Sequence, residues 1–184
     1  MKTITVRDLM IPLSEYATVS EEATLYEAVI ALEKAQDKFD PTKYRHRAIL
    51  VFGKNNQIMG KISQLDVLKS LEPKYAGILE SEMLSHDDLS PRFIKSVLEQ
   101  YSLWKHSLND ICEKAAKLKV KDIMYTPTEG EYVDESASLA EAIHQLLMGY
   151  HQSLLVTKAE QIVGILRLTD VFKEICERIK ACEF

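Results

Sequence analysis

The chain has 184 residues, 46% hydrophobic and 28% charged, with a formal net charge of −5, the makeup of a globular protein of one domain or two small ones. The acidic balance and the lack of any Lys/Arg-rich run argue against a nucleic-acid backbone as the main partner. No apolar run approaches the ~18 residues of a membrane span. Met1 to Thr5 shows no signal-peptide core, and the thiols Cys112, Cys176 and Cys182 lack metal-ligand spacing, so a reducing cytoplasm is expected.

In chain order, Val6-Arg7-Asp8-Leu9-Met10 leads into Ile11-Pro12-Leu13, then Tyr16-Ala17-Thr18-Val19. Thr24 with Glu27 forms a capping-box pattern, hydroxyl to first-turn N–H and carboxylate back to the cap N–H. Leu25, Ala28, Val29 and Leu32 follow at helical spacing. Phe39-Asp40-Pro41 breaks that helix. Arg45-His46-Arg47 then enters the apolar strand Ala48 to Phe52, and a polar turn at Gly53 to Asn56 predicts a hairpin. Its second strand, Gly60-Lys61-Ile62-Ser63-Gln64-Leu65-Asp66, passes directly into a short helix over Val67 to Leu71.

Residues 72–119 have their own character. Tyr75 to Leu84 is a short helical pattern, and His86-Asp87-Asp88 reads as a solvated turn. Ser90-Pro91 is a helix start. Ile94, Val97, Tyr101, Trp104, Leu108, Ile111, Ala115 and Leu118 then alternate by 3 and 4, a heptad seam that either packs within the chain or zips against a second subunit, with Leu108-Asn109-Asp110 as a candidate break into two helices.

From Val120 the first segment returns. Val120-Lys121-Asp122-Ile123-Met124 and Tyr125-Thr126-Pro127 match the start of the chain at an offset of 114, as do Gly130-Glu131-Tyr132-Val133 and the capped helix from Ser138 and Glu141. Ala28 to Val51 spans 23 residues where Ala142 to Val156 spans 14, so copy one carries nine more, expected as a surface loop within Asp37 to Tyr44. His151 corresponds to His46, and Gly164 to Asp170 corresponds to Gly60 to Asp66. So many matches in register identify an internal duplication.

Each copy reads strand, helix, strand, strand, helix, entered by Met-x-x-Pro or Met-x-Pro and left by Gly-x-x-x-x-x-Asp. This resembles the CBS domain, named for cystathionine β-synthase, and the two copies resemble a tandem CBS pair, or Bateman module. The resemblance implies an α+β fold. Two β-α-β-β-α units, residues 1–71 and 120–184, would be related by a pseudo-two-fold axis, with a helical insertion at 72–119. It implies sheets packed together and clefts that take adenosine nucleotides, AMP before ATP or ADP. The family signature, Gly-h-x-(Thr/Ser)-x-x-Asp with h apolar, is met in copy one by Gly60, Ser63 and Asp66, with Lys61 departing at h. Copy two supplies Gly164, Ile165 and Asp170, with Thr169 beside the aspartate as a further candidate contact, but Arg167 replaces the hydroxyl residue.

Those residue types suit a nucleotide. A carboxylate only accepts hydrogen bonds, so Asp66 and Asp170 can take ribose hydroxyls. Ser63 adds a hydroxyl contact, and the Gly before it permits close backbone approach. Arg47, His46, His151 and Arg167 would supply phosphate contacts. By resemblance, adenine would lie near Pro12 and Ala17. Glu131 aligns with Ala17, so the resemblance implies one conventional site at Asp66 and one altered site at Asp170. Ser63-x-x-Asp66 also fits a helix cap without any ligand, though the Gly, the hairpin and the duplication favour the ligand contact. No Gly-x-x-x-x-Gly-Lys-Ser/Thr, His-Glu-x-x-His or Gly-x-Ser-x-Gly motif is present. The expectation is therefore a regulatory, non-catalytic module, homodimeric and acting on a separate effector protein. The alternative is a structural dimerisation module with a vestigial cleft.

Overall fold

The computed structural model describes residues 4–80, 90–105 and 110–182. Copy one is entered by helix α1 (Val6–Leu9), strand β1 (Ile11–Pro12) and a 3-10 turn (Leu13–Glu15). It continues as β2 (Thr18–Ser20), α2 (Leu25–Lys38), β3 (Ala48–Phe52), β4 (Ile58–Ser63) and α3 (Gln64–Leu71). The insertion contains α4 (Lys74–Glu80), α5 (Pro91–Gln100) and α6 (Ile111–Lys117). Copy two repeats the order with α7 (Val120–Ile123), a 3-10 turn (Glu129–Glu131), β5 (Tyr132–Asp134), α8 (Leu139–Met148), β6 (Ser153–Lys158), β7 (Gln161–Arg167) and α9 (Leu168–Lys180). Helices α2 and α8 start as their sequences dictate. Thr24 Oγ accepts from the Glu27 N–H and Ser138 Oγ from the Glu141 N–H, each at 3.2 Å, and each glutamate returns a carboxylate to its cap.

In each copy the first strand lies parallel to the middle one, and the middle one is antiparallel to its hairpin partner. The sheets are ordered β2-β3-β4 and β1-β7-β6-β5, so β1 of the first copy completes the sheet of the second. The exchange is reciprocal. Val6 is buried in the core of copy two with Val133, Leu139 and Leu154, and its N–H donates to Ala137 O at 3.0 Å. Val120 is buried in the core of copy one with Val19, Ala28 and Val51, and its N–H donates to Ala23 O at 2.8 Å.

Side-chain alternation explains the layers. Ile49 and Val51 of β3 face their own helices, while Leu50 between them faces the other sheet. Leu154, Val156 and Leu155 of β6 divide in the same way. Leu50, Leu155, Ile165, Ile11 and Tyr16 form the cluster between the sheets. Each such side chain, fully buried, contributes roughly 1.5–3 kcal/mol. Strands covered on both faces read as unbroken apolar runs, as Ala48 to Phe52 does.

Two expectations change. The seam from Ile94 to Leu118 is not continuous: α5 ends at Gln100, and Ser102 (φ 48°) and Trp104 (φ 62°) turn the chain through left-handed backbone. Leu103 is buried, the Trp104 N–H donates to Glu72 Oε2 at 2.9 Å, and its indole N–H donates to Tyr75 Oη at 3.1 Å. The second half thus packs within the chain, whereas Ile94 and Leu98 of α5 stay exposed (54% and 43%); Leu108 lies outside the described residues, as does His86-Asp87-Asp88. The extra residues of copy one are not wholly a surface loop either. Asp40 to Thr42 are exposed, but Phe39 turns inward against His46, ring centroids 4.2 Å apart. Among the described residues no helix is long and apolar enough to cross a membrane.

Candidate functional site

The two hairpin ends carry the chemistry, and the crossed entry segments decide what faces them. Lys61 of β4 bridges Tyr125, with N–H donated each way at 2.9 and 2.8 Å. A Cβ on Gly60 would stand 2.9 Å from Tyr125 O, and one on Gly164 2.6 Å from Ile11 O. Both signature glycines are therefore required by the close approach of the other copy's backbone.

Beyond Gly60, Ser63 and Asp66 form a capping box at the start of α3. Asp66 Oδ2 accepts from Ser63 N at 2.8 Å and from Ser63 Oγ at 2.7 Å, and Ser63 Oγ accepts from Asp66 N at 3.2 Å. The cap uses one carboxylate oxygen; Oδ1 has no partner among the described residues. It borders a cavity of about 470 Å³ lined by both copies. Six sequence-predicted residues meet there: Ser63, Asp66, Arg47, His151, Arg167 and Thr169. Arg45 and Arg47 stand at its edge, exposed, and neither guanidinium has a partner among the described residues.

Sequence reasoning missed the floor of this cavity. Glu131, 2% exposed, accepts Lys61 Nζ on Oε2, and on Oε1 accepts Tyr125 Oη at 2.6 Å and Thr128 N at 3.2 Å. Burial pushes its carboxyl up, but these three donors and the lysine charge together hold it below the usual carboxylate range. Hydrogen bonding to Glu131, aided by burial, pushes the Tyr125 phenol up. Lys61 and Glu131 are two departures from the signature pattern that cancel each other. Their opposite charges were the signal, readable only once copy two's entry is known to cross onto copy one's hairpin. Glu131 therefore belongs beside Asp66, not in the altered site as expected.

The remaining predicted residues lie elsewhere. Pro12 pairs with Gly164, and Ala17 is buried in the core of copy one, so neither lines the Asp66 cavity. Asp170 and His46 belong to the second, pseudo-equivalent cleft. There Arg167, 5% exposed, makes a two-pronged pair with Asp170: Nε to Oδ2 at 2.5 Å and Nη2 to Oδ1 at 2.6 Å. Its Nη1 donates to Tyr44 O at 2.8 Å and lies 3.4 Å from His46 Nδ1. His46, 2% exposed, lies between Tyr16 and Phe39, and its Nε2–H donates to Glu15 O at 3.1 Å. Burial, then the nearby Arg167 charge, pushes its pKa down to about 4, so this imidazole is neutral and offers no charge to a phosphate.

Comparison with known proteins agrees with this architecture. A family model described as CBS domain matches residues 6–73 and 120–177. No curated protein matches the sequence. Among solved structures, the CBS domain of a CBS domain containing membrane protein from Sphaerobacter thermophilus superposes with a TM-score of 0.61 at 20% identity, covering 94% of this chain and 88% of that one. The CBS-pair protein CBSX2 from Arabidopsis thaliana gives 0.60 at 19% identity, covering 98% and 100%. CBSX2 in complex with AMP gives 0.57 at 19% identity, covering 95% and 98%.

Proposed function

Since the chain belongs to the CBS domain family, as a tandem pair of such domains, we propose that it is a regulatory module without a reaction of its own, sensing an adenine ribonucleotide in the cavity at Asp66. AMP is preferred to ATP or ADP. One observation carries the reading: Asp66 Oδ1 and the guanidiniums of Arg45 and Arg47, none with a partner among the described residues, border one cavity of about 470 Å³. The carboxylate takes ribose hydroxyls and the arginines take phosphate. Likeness to a fold solved with AMP supports the nucleotide class.

The cavity is lined by both copies, so a ligand that prefers one arrangement of them shifts that equilibrium and stabilises the fold by mass action. The signal would pass to a separate effector protein in the cytoplasm. We also propose a homodimer, because Leu65, Leu68, Leu147, Met148 and Phe172 leave α3, α8 and α9 with exposed apolar positions. Sedimentation at the mass of a single chain would refute it.

Calorimetry with AMP, ADP, ATP and their 2′-deoxy forms tests the site. Asp66→Ala should weaken AMP by about ten- to a few hundred-fold, one or two charge-assisted bonds at roughly 1.5–3 kcal/mol each. A 2′-deoxy nucleotide should lose part of that energy on the native protein and little more on the variant. Arg47→Ala should weaken AMP more than adenosine. Equal AMP affinity of native protein and Asp66→Ala would remove this site. Failure of ligand-free protein to bind any adenosine compound would leave the structural dimerisation module.

A further inference from the structure

The second cleft is filled by the chain itself. On the side where Asp170 repeats Asp66, both carboxylate oxygens are held by Arg167, so neither is left without a donor as Asp66 Oδ1 is. The guanidinium also lies over the Phe39 ring, 5.5 Å from its centroid, and donates to the Tyr44 carbonyl. On the base side, Tyr16 packs edge-on against His46 at 4.3 Å, where the other copy has Gly130 at the position of Tyr16. Phe39 and Tyr44 belong to the stretch that copy one carries in excess, so the filling is built from residues that copy two lacks. The hollow left beside Asp170 is about 250 Å³, and Asp8, Glu174 and Glu177 join Asp170 there against Lys43 and Lys173. The Asp66 cavity instead presents Arg45 and Arg47, whose guanidiniums have no partner among the described residues.

We infer that Arg167 is the standing occupant of the second cleft: its guanidinium holds the Asp170 carboxylate in place of a ligand, and the chain takes one nucleotide where its repeat offers two half-sites. The count rests on the nucleotide reading of the Asp66 cavity; the occupancy by Arg167 does not. It makes Arg167 the residue that sets the stoichiometry, and it makes the duplication functionally one-sided.

Two measurements test it separately. Native protein titrated with AMP should bind one molecule per chain, with Asp170→Ala leaving that event unchanged; two molecules per chain would overturn the inference. No AMP binding at all would sink the nucleotide reading and leave the occupancy to the second arm. There, Arg167→Ala empties the place of the guanidinium, and millimolar methylguanidinium should raise the melting temperature of that variant while methylammonium at the same concentration does not. Equal responses to the two cations would overturn it. Should Arg167→Ala not fold, native protein still decides. The Arg167 Nε–H should exchange with solvent at least about tenfold more slowly than those of Arg45 and Arg47; exchange at a common rate would show that Arg167 is not lodged in the cleft.

Discussion

Lys61 and Glu131 stand beside Asp66 where the corresponding positions of the repeat are Ile165 and Ala17, while Ser63 corresponds to Arg167. One repeat has thus been charged in two different places. In the first cleft the charges lie in the floor and neutralise each other, leaving Asp66 half free. In the second the charge lies at the signature turn and consumes Asp170. The same backbone register supports both outcomes, because the strands that carry them are fixed by apolar residues on their other positions. What decides whether a cleft is open is where its cation sits relative to its aspartate.

The largest effect should come from unbalancing the first cleft. Lys61→Ile alone copies the residue of the second cleft but strands a buried carboxylate, and should cost roughly 3–5 kcal/mol in urea unfolding. Lys61→Ile with Glu131→Ala imports both residues of the other copy and should return to within about 1 kcal/mol of native, since a buried pair can be replaced by apolar side chains at little cost. Additive losses would show that the two charges are not coupled.

Next is the second cleft's histidine. The folded protein binds a proton at His46 near pH 4, whereas an unfolded chain binds it near 6.5. Between those values the unfolded state holds more protons, so stability is complete above about pH 6.5 and falls as pH drops towards 4, by at most roughly 3 kcal/mol. His46→Phe should flatten the unfolding free energy between pH 7 and 5, and an unchanged slope would place the acid sensitivity elsewhere.

Much of this was legible in the residues and some was not, for a physical reason. The capping boxes, hairpins and duplicated helices are local, and Thr24 with Glu27 or Gly60 to Asp66 state them directly. The crossing of the entry segments is not local. Strand β1 has two residues, and its pairing of Ile11 with Ile165 spans most of the chain, with no propensity or period to announce it. That crossing decides which cleft Glu131 and Ala17 face: Glu131 lines the Asp66 cavity and Ala17 lies in the core of copy one, neither where alignment of the copies alone puts it. The inward turn of Phe39 is equally non-local, because its partner His46 is buried by Tyr16 and Arg167, again from distant segments. The break of the heptad at Ser102 and Trp104 had no glycine to mark it.

The smallest effect concerns Ser63, which the sequence favours as a ligand contact over a bare helix cap. The structure uses it as a cap: Oγ accepts the Asp66 N–H and donates back to Oδ2. Arg167, its counterpart, makes no such bond, and α9 starts without a side-chain cap. Ser63→Ala should therefore cost about 1 kcal/mol in unfolding, the usual loss of a cap. Its effect on AMP should be indirect. Without Oγ the carboxylate keeps one fixed donor, Ser63 N, and turns more freely, so affinity should fall by a few-fold, well short of the loss in Asp66→Ala. Ser63→Thr restores the hydroxyl and should recover both quantities together. If Thr recovers stability but not affinity, the hydroxyl geometry matters to the ligand itself. If Ala lowers affinity as much as Asp66→Ala while stability holds, Ser63 acts on the sugar or phosphate and the cap is incidental.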